Sequence, residues 1–104
     1  MWSVEKPRKD KLGRRWHFAY WDEGQRVATA EHPQQLFFWN EERTESGVVL
    51  FPVGKTVRYS LIKGWIEKLV ADPELRKQYD APLRFPVQRY YMKHGFHPKE
   101  TTEP

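Results

Sequence analysis

The sequence predicts an α+β fold: a small antiparallel sheet of three to four strands packed against a helix at about 57–71, with short C-terminal helices. Three observations carry this. Arg15 to Trp21 alternates with a period of two and is rich in aromatics, which is strand chemistry. Val57 to Ala71 changes to steps of three and four, which is helix chemistry. The chain has 104 residues, enough for one core and too few for two domains. Its 38% hydrophobic content is low, and five Trp, five Tyr and six Phe offset this because each ring buries a large area.

Residues 1–13 read as a flexible basic arm containing Pro7 and Gly13, residues 14–96 as the single domain, and residues 97–104 as a disordered tail. In the first strand Trp16, Phe18 and Tyr20 share one face, and His17, Ala19 and Trp21 the other. Asp22-Glu23-Gly24-Gln25 reads as a turn, and Arg26 to Glu31 as the returning strand of a hairpin. Pro33 to Arg43 admits a helix with Pro33 at its start. The four bulky apolar residues Leu36-Phe37-Phe38-Trp39 favour a third strand instead, linked by the loop Glu42 to Gly47 to a fourth, Val48 to Val53.

In the long helix Leu61, Ile62, Trp65, Ile66, Leu69 and Val70 form the apolar stripe, with Thr56 as the expected N-cap. Gly64 within it suggests close approach by a neighbour. Asp72-Pro73-Glu74 restarts a short helix ending near Asp80. A last helix is expected from Val87 to His94, stopped by Gly95.

Zero Cys excludes disulfides, thiolate catalysis and thiolate metal sites. No apolar run is long enough to span a membrane, and no long amphipathic helix with a cationic face suggests docking on one. Met1 to Lys6 lacks the apolar core of a leader, so the cytoplasm is the expected compartment. Gly54-Lys55-Thr56 resembles the end of a phosphate-binding loop, but position 49 is Val where that loop needs its first glycine, so it reads as the approach to a helix. His94 and His97, with His17 or His32, have spacings seen at metal sites, yet nothing in the sequence brings them together. Without a base-plus-nucleophile pair, the expectation is no enzyme, no metal and no cofactor.

Charge and aromatics give the functional expectation. The net charge is +4, a mild excess, but Lys6, Arg8, Lys9, Lys11, Arg14 and Arg15 crowd one segment broken only by Asp10. A sheet face left uncovered by the helix and edged with cations would suit stacked bases beside gripped phosphates. The expected ligand is nucleic acid, DNA ahead of RNA, as for a regulatory or accessory factor. Arg14, Arg15 and Arg26 would hold phosphates, Trp16 or Trp21 would stack, and Arg89 and Lys93 would form a second contact. The alternative is a protein-protein interaction module (an adaptor, inhibitor or small subunit) anchored by exposed aromatics. An open sheet edge would also allow a homodimer.

The order of four strands then a helix over about residues 14–71 is similar to the Whirly-type and positive-cofactor-type single-stranded-DNA-binding folds. Arg15 to Trp39 resembles the three-stranded arm-binding domain of tyrosine integrases, in which an aromatic strand, turn, strand and helix read the major groove. Both are resemblances of layout, and neither implies a role for a particular residue.

Overall fold

A computed structural model describes residues 2–21, 27–31 and 33–82. Its sheet is antiparallel throughout and is built from β1 (Trp2–Val4), β2 (Arg8–Lys9), β3 (Arg15–Trp21), β4 (Gln35–Asn40) and β5 (Ser46–Leu50). The order is β1-β3-β4-β5, with β2 also on β3. Two helices follow, α1 (Tyr59–Ala71) and α2 (Pro73–Gln78). The α+β class and the antiparallel sheet beside a long helix are as the sequence predicts.

Residues 2–13 do not form an arm. Trp2–Val4 and Arg8–Lys9 within them run antiparallel to β3, with Val4 opposite Ala19 and Lys9 opposite Arg15. The Glu5 N–H donates to the Phe18 carbonyl, and the pairing lapses before Arg8 where Pro7 has no N–H to give.

Of the expected returning strand at Arg26 to Glu31, the described residues 27–31 do not pair with β3. Val27 makes an isolated bridge with Thr56, and the Ala28 N–H donates to Lys55. β4 takes the place beside β3, with Phe18 opposite Phe38 and Tyr20 opposite Leu36. The competition is settled by side-chain area: β4 is central and buried on both faces, which suits Leu36 to Trp39 and not Val27 to Ala30. The helix alternative for 33–43 is therefore not formed. Neither layout is seen among the described residues: the described part of 14–71 holds three strands before the helix, and the described part of 15–39 holds no helix.

Trp16, Phe18, Tyr20, Leu36, Phe38, Val49 and Phe51 form the helix-side face, against which α1 buries Ile62, Ile66 and Leu69. Trp65 meets Phe51 and Tyr79 edge-on, closing the end of that core. The opposite face carries a smaller buried cluster of Ala19, Phe37 and Trp39, flanked by Val4 and Val48.

α1 begins two residues later than its apolar pattern, because Thr56 is held in the bridge with Val27 and Arg58 takes the cap position with no side-chain bond. α2 starts as expected, with the Asp72 carboxylate accepting from the Glu74 and Leu75 N–H groups. Gly64 is not a point of close approach, since a Cβ there would meet nothing within 4 Å. Gly64→Ala is accordingly expected to raise stability by about 0.5–1 kcal/mol through lower backbone entropy, read from the midpoint of denaturant unfolding.

Candidate functional site

The residues with the strongest chemistry gather on the β2–β3 hairpin. Its loop, Lys11-Leu12-Gly13, is closed by Gly13 N–H to the Asp10 carbonyl and Asp10 N–H to the Arg14 carbonyl. Gly13 has φ +80°, the left-handed conformation that follows a type I turn in three-residue hairpin loops. The Asp10 carboxylate fixes the turn from within: Oδ1 accepts from the Leu12 and Arg14 N–H groups, and Oδ2 accepts from the Trp16 indole at 2.9 Å.

Asp10 Oδ2 also faces the guanidinium of Arg76 at 3.7 Å, and both side chains are almost wholly buried, 6% and 7% exposed. Arg76 comes from α2, lies with its Cζ 4.2 Å from the centre of the Trp16 ring, and donates through Nη1 to the Leu69 and Val70 carbonyls that end α1. One buried cation thus ties the hairpin, the core tryptophan and both helices together. Burial pushes the Asp10 carboxyl up. The Trp16 indole, the Arg14 and Leu12 N–H groups and the Arg76 charge outweigh that and hold it below the ordinary range. Burial likewise pushes Arg76 down, with Asp10 acting against it.

The acids near the hairpin have specific partners. Glu45 pairs with Arg14. Glu41 is bound to His17 Nε2 at 2.7 Å, and that hydrogen bond, opposed by burial and aided by the charges of His17, Arg15 and Arg43, lowers its carboxyl. His17 in turn stacks on Trp39 with ring centres 5.7 Å apart. Glu5 accepts from the hydroxyls of Tyr20 and Tyr59, and its charge raises the Tyr59 phenol.

Among the cations, Lys9 and Arg15 stand directly opposite each other across β2 and β3, and both are exposed. Lys11, in the loop, is exposed as well. Like charges directly opposed across an antiparallel pair weaken a sheet unless an anion lies between or above them.

Of the residues expected to bind, Arg14 and Arg15 are on this hairpin, Arg14 already paired. Trp16 is not a stacking platform: it is 0% exposed, with Arg76 over its ring and Arg14 close by. The expected uncovered aromatic face is also absent among the described residues, since Phe37 and Trp39 are buried on the side away from α1. Trp21 ends β3, and its side chain lies outside the described residues, as do Arg26, Arg89, Lys93 and the helix expected at Val87 to His94. Sequence reasoning missed Lys9 and Lys11 as site residues by assigning them to an arm. The signal was Asp10 three residues before Gly13, a hairpin-turn pattern between two basic stretches.

The Gly54-Lys55-Thr56 segment is a turn closed by Lys55 N–H to the Pro52 carbonyl. Among the described residues no group of three or more His, Asp or Glu could hold a metal ion. No helix among them is long and apolar enough to cross a membrane. Comparison with protein-family models, curated proteins and solved structures finds no match.

Proposed function

We propose that the protein binds nucleic acid, DNA ahead of RNA, through phosphate contacts made by the β2–β3 hairpin. The observation that carries this reading is the exposed, directly opposed pair Lys9 and Arg15, with Lys11 beside it, on a hairpin whose neighbouring acids Asp10, Glu41 and Glu45 are bonded to other groups. A phosphate bridging Lys9 and Arg15 converts a repulsion in the free protein into two attractions in the complex. Recognition of this kind is electrostatic and independent of base sequence. The protein-interaction alternative draws less support, because the exposed aromatic among the described residues is Tyr59, whose hydroxyl engages Glu5.

The test is anisotropy of short labelled duplex DNA, single-stranded DNA and RNA across a salt series. Tryptophan quenching is the poorer readout because Trp16 and Trp39 are buried. Affinity is expected to fall steeply with salt through counterion release. The double substitution Lys9→Ala with Arg15→Ala is expected to lower the log–log salt slope on duplex DNA by about 0.9, the value for the one phosphate that the pair bridges. No binding at low salt overturns the reading, and salt-insensitive capture of a protein partner would replace it.

A further inference from the structure

The apex of the cationic hairpin is a leucine. Leu12 is 80% exposed, the most exposed of the large hydrophobic residues described. Single apolar side chains on a surface are common and need no role by themselves. Leu12 is set apart by how it is held and by what surrounds it. Its N–H is bonded to Asp10 Oδ1, and the other oxygen of the same carboxylate is bonded to the buried Trp16 indole. The loop is therefore anchored to the core, and its ordering cost is met before any ligand arrives. Lys11 precedes it in the loop, and Lys9 and Arg15 face each other in the strands below, all three exposed.

We propose that Leu12 is a wedge: it enters the minor groove of duplex DNA and partly unstacks one base step, while Lys9, Lys11 and Arg15 hold the flanking phosphates. This rests on the nucleic-acid reading and adds the strand type, the groove and the apolar contact. Leucine is among the side chains that separate base steps in this way, and the kink they produce brings more backbone against the protein. An anionic bilayer would also meet an apolar tip with cations near it. A single leucine, however, buries too little area to hold a protein there, where docked segments insert a whole apolar face.

The experiment uses the full chain and a short DNA duplex carrying 2-aminopurine at several steps, with a donor and an acceptor dye on its ends. Wild-type protein is expected to raise the 2-aminopurine fluorescence and bring the ends closer. Leu12→Ala, at an exposed position that leaves the fold intact, is expected to keep its affinity within about tenfold because phosphates supply most of it, and to lose both signals. Leu12→Met is expected to retain them. Full unstacking by Leu12→Ala, or tight duplex binding by wild type without unstacking, overturns the wedge and leaves the phosphate reading standing. Binding confined to single strands overturns the wedge alone as well. Binding only to anionic phospholipid vesicles, or none to nucleic acid at low salt, overturns both.

Discussion

Asp10→Ala is expected to lower the free energy of unfolding by about 3–5 kcal/mol, the range for removing one partner of a buried ion pair. The 3.7 Å separation from Arg76 is too long for a hydrogen bond, so the direct Coulomb contact is not the whole of it. The same carboxylate satisfies the Trp16 indole and two turn N–H groups, and all three lose their acceptor at once. Arg76 then remains buried with the Leu69 and Val70 carbonyls, the Trp16 ring face and the more distant charges of Glu45 and Asp72 to offset its charge. Asp10→Asn keeps the shape but can turn an N–H toward the indole or the guanidinium, so it is expected to recover less than half of the loss. Adding Arg76→Met to Asp10→Asn removes the stranded cation and is expected to restore part of the stability, which a double-mutant cycle reads as coupling.

The pH dependence has a definite sign. The Asp10 carboxyl titrates lower in the folded protein than in the unfolded chain, so its contribution is present above about pH 4 and is lost as pH falls through the lowered folded value. Urea unfolding of wild type and Asp10→Ala across that interval should converge as the pH drops. A constant difference down to low pH would mean that Asp10 acts through shape and not charge. Because the Asp10 bond also sets the Leu12 backbone, Asp10→Ala should blunt the unstacking signal even where the protein remains folded.

Elements whose periodicity is strong and whose burial is one-sided were legible in the sequence. α1 is the clearest case, and β3 is another, because Trp16, Phe18 and Tyr20 share a face. Asp72 followed by Pro73 marked α2 through a local rule of capping. What was not legible is pairing. Val27 to Ala30 has a strand's composition, but whether it joins β3 depends on competitors elsewhere in the chain, and β4 buries more aromatic area in that place. Trp2 to Lys9 lacks a clean alternation, so its place beside β3 is fixed by an edge that only the folded sheet offers.

The site shows the same division. Composition located the basic segment, and the register then decided which cations meet: the pairing that sets Lys9 against Arg15 depends on the turn at Asp10 to Gly13. The burial of Trp16 was hidden because Arg76, seemingly a surface residue of a short polar helix, turns inward onto its ring. Asn40 is a parallel case at the β4–β5 turn. It is buried, its Oδ1 accepts from the Thr44 and Glu45 N–H groups, and its Nδ2 donates to Thr44 Oγ1. Buried polar residues of this kind are chosen by the partners they satisfy, and those partners are distant or conformational, not periodic.

Gly47→Ala is expected to destabilise the fold by about 3 kcal/mol, the upper end for inserting a methyl group into a packed site, and Gly47→Val by more. Gly47 lies opposite Phe38 on the helix-side face, and the Phe38 ring covers the space where a side chain would project. A Cβ there would overlap both that ring and the Tyr79 carbonyl oxygen. Neither neighbour can yield easily. The Phe38 ring is fully packed in the core, and the Tyr79 carbonyl accepts from the Val48 N–H, part of the pairing that lays residues 79–81 along the outer edge of β5. Ser46 adds a hydroxyl bond to the Ala81 carbonyl on the same edge. Forcing that segment away would expose β5 as an open edge, so the variant should lose solubility as well as stability. If the ring is the stiffer obstacle, Phe38→Leu with Gly47→Ala should cost less than the sum of the two single losses. If the carbonyl dominates, the losses should add. The hairpin with Lys9, Leu12 and Arg15 is separated from β5 by β4 in the sheet. The folded fraction of Gly47→Ala should therefore bind duplex DNA with the wild-type salt slope, which separates damage to the fold from damage to the interface.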